Sequence, residues 1–167
     1  MSGPRQQVAL RPFLLADAAL LAEIYRASIE ELTSEDYSEA QQQAWASQAD
    51  DEEEFGSHLA SQLTLLGTVD ASPVAFASLK DNEKVEMLYV HPAVARQGVA
   101  TTLLQALEKL AAARGAKRLR ADVSDSAHDF FKRRGFVAQQ RNSVPIAGEW
   151  LANTTMEKKL AGEEPTE

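Results

Sequence analysis

The chain has 167 residues, 44% of them hydrophobic, which suits one globular domain with its own core and excludes a disordered chain. Lys plus Arg number 17 against 25 Asp plus Glu, and the net charge of −8 speaks against nucleic acid or an anionic membrane as partner. There is no cysteine, which excludes disulfides and thiol catalysis and is compatible with a cytoplasmic setting.

In chain order, Val8 to Phe13 reads as a strand. Ala16 to Leu32 reads as a helix, with Leu20, Ile24 and Ala27 in one line and Leu21, Tyr25 and Leu32 beside it. Thr33 to Ser38 is a polar break, and Glu39 to Ser47 a short helix. Asp50 to Glu54 reads as a solvated acidic start to a third helix, where carboxylates suit the helix dipole. Gln62 to Val69 and Pro73 to Lys80 are strands around the turn Asp70-Ala71-Ser72, and Asp81-Asn82 turns the chain into a strand from Lys84 to Val90. Val99 to Arg114 is the clearest helix, since Val99, Leu103, Leu107, Leu110 and Ala111 keep the 3.6 period. Lys117 to Val123 is a strand, and Ser126 to Arg134 a short helix closed by Gly135. Phe136 to Val144 and Glu149 to Lys159 form a hairpin about Pro145 to Gly148, and Ala161 to Glu167 is a polar tail. No linker divides the chain, so one domain over 1–167 is expected. Met1 to Leu10 lacks the apolar core of a signal peptide, and no apolar run nears the ~20 residues of a membrane helix. His58, His91 and His128 show no ligand spacing, so no metal is expected.

The segment from Leu88 to Leu104 is the most informative. An apolar strand ends at His91-Pro92, and a short loop through Arg96-Gln97-Gly98 leads directly into the amphipathic helix. The first amides of a helix lack internal partners and favour a phosphate group. The segment therefore reads as a phosphate cradle. It lacks the Gly-Lys-Ser/Thr ending of a Walker loop and the three glycines of a dinucleotide fingerprint.

Val90-His91-Pro92 followed by Gln97-Gly98-Val99-Ala100 resembles motif A of the GNAT (GCN5-related) N-acetyltransferases. Ala95 stands where that family usually has Arg or Gln, and Arg96 where Gly is common. Ser124 to Phe136, a short helix ending in Gly-Phe, resembles the family's closing segment. The likeness covers about residues 8 to 160. Asp36-Tyr37-Ser38, Ala44-Trp45, Leu151-x-Asn153 and Met156-x-Lys158 further resemble a bacterial branch called YafP-like. The resemblance implies an α+β fold, with a mixed central sheet of about seven strands splayed after the fourth and flanked by helices. It implies acetyl-CoA as cosubstrate. The pantetheine arm would lie in the gap against backbone of Leu88, Tyr89 and Val90. The pyrophosphate would rest on Ala95, Arg96, Gln97, Gly98, Val99, Ala100 and Thr101, and Ser124 and Phe131 would also touch the cofactor.

Amine acetylation needs a base, because an ammonium has no lone pair and a lysine-type amine titrates near ~10.4. Glu86 is the candidate base, and a surface salt-bridged glutamate is the competing reading. The family's usual acid is a Tyr at the position held by Phe131, which has no hydroxyl. Tyr89 is the candidate replacement, against a plain core tyrosine. Strand alternation puts Glu86, Leu88 and Val90 on one face and Met87 and Tyr89 on the other, so both are not expected to act together. His91 reads as a turn histidine. Thr101 and Thr102 either bond phosphate or simply open the helix. Tyr37 and Trp45 fall where the family walls its acceptor pocket, and beside Glu35 and Asp36 they suit a cation.

The leading reading is acetyl transfer from acetyl-CoA to a primary amine of a small molecule or peptide, by direct attack in a ternary complex. A non-catalytic acyl-CoA-binding or regulatory module, which Phe131 favours, and a transferase using another acyl-CoA are the alternatives. Lys132 to Arg134 reads as the cations expected at a helix C-terminus rather than a nucleic-acid patch. A monomer or a homodimer joined through the late strands is expected.

Overall fold

A computed structural model describes residues 7–160 of the chain; the polar tail expected at 161–167 lies outside the described residues. The strands are β1 (Ala9–Pro12), β2 (Leu63–Val69), β3 (Ser72–Lys80), β4 (Lys84–Val90), β5 (Arg118–Ser124), β6 (Val137–Ile146) and β7 (Glu149–Lys159). The helices are α1 (Ala18–Leu32), α2 (Glu39–Ala46), α3 (Glu52–Ala60), α4 (Val99–Ala113) and α5 (His128–Arg133). The strands form one sheet in the order β1-β2-β3-β4-β5-β7-β6, antiparallel except for the β4–β5 pair. This is the α+β fold with a mixed, splayed sheet that the resemblance implied.

Helices cover both faces. On one face, α4 packs Val99, Leu103, Leu104, Leu107 and Ala111 against Ala75, Ala77, Leu119 and Val123, with Phe131 and Phe136 closing the end. On the other, α1 and α3 pack Leu21, Ile24, Tyr25, Ile29, Phe55 and Leu59 against Leu66 and Phe76. Leu20 and Leu32, expected in the α1 stripe, are each 41% exposed, and Ser28 is buried in their place. The stripe is rotated toward Leu21, Tyr25 and Ser28. Gly56 brings α3 against α1, since a Cβ there would meet the Ala18 Cβ at 2.9 Å.

Turn chemistry matches the chain at each hairpin. Asp70-Ala71, Asp81-Asn82 and Ala147-Gly148 all have two consecutive residues at positive φ, the geometry that tight hairpins require. The last hairpin differs from expectation, because β6 runs on through Pro145 to Ile146 and leaves a two-residue turn. Pro145 is tolerated there because β6 is the outermost strand and needs no N–H at that edge.

Two irregularities shape the site. First, β4 and β5 pair only at Lys84–Arg120 and Val85–Ala121, then diverge, with Lys84 and Asp122 joined at 2.9 Å beside the junction. Second, β3 and β4 slip register where Ser78 faces Met87 and Leu79 faces Val85. Glu86 is the extra residue of a β-bulge.

Candidate active site

The divergence of β4 from β5 opens a cleft of about 1140 Å³, bounded by both strands, the loop into α4, α5 and the α1–α2 connection. The His91 amide bonds the Val74 carbonyl at 2.8 Å. Antiparallel alternation then directs the backbone groups of Met87 and Tyr89 to β3, and those of Leu88 and Val90 away from it. With no β5 partner at that level, the N–H and C=O of Leu88 and Val90 face the gap.

At the other end of the cleft stands the α4 N-terminus. Gly98 takes φ +85° and Arg96 φ +64°, so a non-glycine residue holds the left-handed conformation at the position where the family commonly has glycine. The first backbone bond of α4 runs from the Thr102 amide to the Gly98 carbonyl at 3.1 Å. The amides of Val99, Ala100 and Thr101 precede it and have no partner among the described residues. Ala95, Arg96, Gly98, Val99, Ala100 and Thr101 all border the cleft. Gln97 does not border it; its side-chain amide bonds the Ala93 carbonyl at 3.3 Å. The Thr102 hydroxyl bonds back to Gly98 at 3.1 Å, so it serves the helix. His91 accepts from the Ala93 amide at 3.0 Å and is a turn histidine.

The bulge changes the expected faces of β4. Val85, Leu88 and Val90 pack with the α4 core, whereas Met87 and Tyr89 pack with α1 and α3. Glu86 also turns to the α3 side, where its Oε2 lies 2.8 Å from His58 Nε2 and accepts a hydrogen bond from Gln62. Glu86 and Tyr89 therefore share a face, contrary to simple alternation, and both border the cleft. Burial opposes the charge of Glu86. The hydrogen bonds from Gln62 and His58, with Lys80 nearby, outweigh it and hold the carboxyl below its usual range.

Tyr89 sits in an aromatic cluster, with ring centroids 4.7 Å from Tyr25, 5.7 Å from Phe76 and 6.3 Å from Trp45. Burial pushes its hydroxyl up to about 12. Trp45 Nε1–H donates to the Tyr89 oxygen at 3.2 Å. Indole donates and cannot accept, so this bond leaves the phenolic proton of Tyr89 unused, and the Tyr25 hydroxyl is its second hydrogen-bond neighbour. Tyr37 packs edge-on to Trp45 at 5.4 Å. Its hydroxyl donates to the Ala152 carbonyl at 2.6 Å and accepts from the Asp125 amide at 2.9 Å. Tyr37 thus ties the α1–α2 connection to β7 and to the end of β5. Asp36 accepts from the Ser126 hydroxyl at 2.8 Å, and Glu35 lies on the same wall.

Phe131 is buried against Phe130 and Phe136, at centroid distances of 5.5 and 5.0 Å; it belongs mainly to the core and also borders the cleft. The Ser124 hydroxyl accepts from the Ala127 amide at 3.2 Å, which shapes the turn into α5. Asp50 to Glu54 is exposed and caps α3, with Asp51 accepting from the Glu54 amide at 3.1 Å. Among the described residues, no cluster of His, Asp and Glu is arranged to hold a metal, and no helix is long and apolar enough to cross a membrane.

Two residues escaped sequence reasoning. His58 gave no signal, since it meets Glu86 across 28 residues. Arg134 read as a C-terminal helix cation but reaches into the cleft, bonding Thr101 Oγ1 from Nε at 2.9 Å and from Nη2 at 2.6 Å.

Residues 33–160 match the acetyltransferase (GNAT) domain family. The chain belongs to the GNAT family. Among curated relatives, this N-acetyltransferase is 31% identical over 152 residues to the uncharacterized N-acetyltransferase YafP of Escherichia coli K12, covering 91% of this chain and 96% of that protein. Among solved structures it resembles a GCN5-related N-acetyltransferase from Rhodopseudomonas palustris, with TM-score 0.91, 57% identity and coverage of 96% of this chain and 99% of that one. The PaiA N-acetyltransferase of Thermoplasma acidophilum, solved with coenzyme A, shares the fold at TM-score 0.75 and 21% identity, covering 92% of this chain and 99% of that one.

Proposed function

We propose that this GNAT N-acetyltransferase moves an acetyl group from acetyl-CoA to a primary amine by direct attack in a ternary complex. The observation that carries the reading is the open β4 edge, with the carboxylate of Glu86 at the bulge and the unpartnered amides of α4 at its far end. These groups fit an extended, amide-bearing, phosphorylated thioester. Leu88 and Val90 offer it strand-like backbone bonds, and Val99, Ala100 and Thr101, with Arg96, offer donors to phosphate. Acetyl-CoA supplies the activated acyl carbon and a thiolate leaving group.

Glu86 takes a proton from the ammonium of the acceptor, directly or through water, so that the amine lone pair can attack the thioester carbonyl. Tyr89 gives its phenolic proton to the departing sulfur and recovers one from solvent. The shared face of these two residues removes the conflict that simple alternation implied. Tyr37 and Trp45 wall the acceptor side, and the carboxylates of Glu35 and Asp36 favour a cationic acceptor. A single domain without cysteine suits this direct route, which needs no covalent enzyme intermediate, and agrees with a cytoplasmic setting.

Coenzyme A release from acetyl-CoA, followed across diamines, polyamines, aminoglycosides, amino acids and short peptides, tests the proposal. Amine-dependent release is expected. Phe131 supports a second reading, a binding-only module, because no hydroxyl stands at its position. Tight acetyl-CoA binding with no release for any amine is the result that favours it. Faster release from succinyl- or propionyl-CoA than from acetyl-CoA identifies a different donor.

A further inference from the structure

A chain of polar side chains crosses β5, β7 and β6, and its direction is set from one end. Asp122 on β5 lies opposite Thr155 on β7, and Asn142 on β6 lies opposite Asn153 on β7. Lys84 holds one carboxylate oxygen of Asp122 at 2.9 Å, and the Thr155 hydroxyl donates to the other at 2.7 Å. Burial opposes the charge of Asp122, but these bonds outweigh it and keep the carboxyl ionised at neutral pH. An ionised carboxylate only accepts. Thr155 has therefore spent its single proton, and its oxygen can only accept from the next group. That group is the amide of Asn142, which must turn Nδ2 toward Thr155, at 2.8 Å. The other Nδ2 hydrogen of Asn142 goes to Asn153 at 2.9 Å, while Asn142 Oδ1 accepts from Gln140 at 3.1 Å. Asn153 thus turns Oδ1 to Asn142. Its Nδ2, with two hydrogens to give, has no partner among the described residues.

Asn153 is half-buried and borders the cleft. Met156 on the opposite face of β7 packs with the α4 core, so alternation places Asn153 on the face away from α4. Tyr37 and Trp45 wall that side, and the Tyr37 hydroxyl bonds the adjacent Ala152 carbonyl at 2.6 Å. We infer that Asn153 donates a hydrogen bond to an uncharged oxygen of the acceptor, so that the substrate is an amine bearing an amide carbonyl or a hydroxyl rather than a plain polyamine. The inference rests on the acetyl-transfer reading above and deepens it. Glu35, Asp36 and Asp122 border the same cleft and disfavour a negatively charged oxygen there. The network orients the Asn153 amide beforehand, so little ordering opposes the bond. An acceptor with only a methylene at that point leaves Nδ2 unpaired and partly desolvated.

Three acceptors with the same two amines and the same carbon chain test the inference. Lysinamide is cadaverine with a carboxamide added, lysinol is cadaverine with a hydroxymethyl group added, and cadaverine itself carries no oxygen. Steady-state kcat/KM is measured for each with the wild-type chain and with Asn153→Asp, which keeps an oxygen for Asn142 and replaces the donor with an acceptor. The wild-type chain is expected to prefer lysinamide or lysinol over cadaverine by about five- to tenfold. A preference for lysinamide assigns the carbonyl, and one for lysinol assigns the hydroxyl. In Asn153→Asp the ratio to cadaverine should fall to within about twofold of unity, with the loss in the acceptor KM and not in the KM for acetyl-CoA. A wild-type chain that favours neither oxygen-bearing amine overturns the inference. So does an unchanged ratio in Asn153→Asp, or an equal loss for all three acceptors, which marks a merely structural role. Should Asn153→Asp not fold, Asn153→Ser carries the same comparison. Acetyl-CoA that binds but is not turned over with any amine sinks the acetyl-transfer reading itself, a result distinct from failure at Asn153.

Discussion

At the scale of the residue, Glu86 and Tyr89 carry opposite assignments, and each is held in the protonation state from which its role starts. Glu86 stays ionised at neutral pH because the donors Gln62 and His58 outweigh its burial, leaving a carboxylate ready to accept a proton. Tyr89, pushed up to about 12 by burial, keeps its proton across the neutral range and has one to give. Glu86→Gln is expected to lower turnover by about 100-fold or more while leaving acetyl-CoA affinity nearly intact, as steady-state rates and calorimetry would reveal. Undiminished turnover removes Glu86 from the mechanism. Tyr89→Phe keeps the ring packing and removes the hydroxyl, so it should slow single-turnover acetyl transfer with little change in donor binding. A wild-type single-turnover rate assigns the leaving thiolate no help from Tyr89. The identity of both residues was legible in the sequence, but their common face was not. The bulge that rotates Glu86 is a property of the β3–β4 pairing, and no local pattern in Lys84 to Val90 announces it. Arg134 was hidden for a similar reason, since its partner Thr101 is 33 residues away.

At the scale of the element, the strand–loop–helix around Gly98 was readable because one glycine, one apolar strand and one 3.6-period helix adjoin in sequence. Hairpin turns were readable where Asp, Asn and Gly cluster. The exposed faces of Leu20 and Leu32 were not, because α1 is apolar over more of its circumference than it buries. Gly56 marks the contact that seats α3, and with it His58, behind Glu86. Alanine in a helix usually gains about 1 kcal/mol over glycine. Here the new methyl would meet the Ala18 Cβ at 2.9 Å, two atoms fixed to backbones, and such overpacking costs about 1–3 kcal/mol. Gly56→Ala is therefore expected to lower stability in urea unfolding, against the helical preference. A stabilised variant would show that α1 and α3 separate easily.

At the scale of the whole molecule, ion pairs tie the chain to itself over short and long separations. Asp17 meets Arg11 at 2.8 Å, Asp122 meets Lys84 at 2.9 Å, and Asp125 chelates Arg141. Hydrogen bonds to these arginines lower the Asp17 and Asp125 pKa values. At Asp122, burial opposes the charge, but Thr155 and Lys84 outweigh it and the pKa again falls. Each depressed carboxyl, Glu86 included, contributes stability that is present above its unfolded pKa and is lost as pH falls through the folded one. The thermal midpoint should hold from neutral pH to near ~5, then fall as pH drops through the ordinary carboxylate range of ~4 and below. A midpoint that rises on acidification would contradict the direction of these shifts.

The acyl donor is expected to lie along β4 as an added strand with its phosphates on α4. Amide hydrogen exchange, followed by NMR with and without acetyl-CoA, addresses it residue by residue. The predicted result is slowed exchange at Leu88, Val90, Val99, Ala100 and Thr101, with Met87 and Tyr89, already bonded to β3, little changed. Saturating acetyl-CoA that leaves the Leu88, Val90 and α4 amides exchanging at their free rates would contradict it.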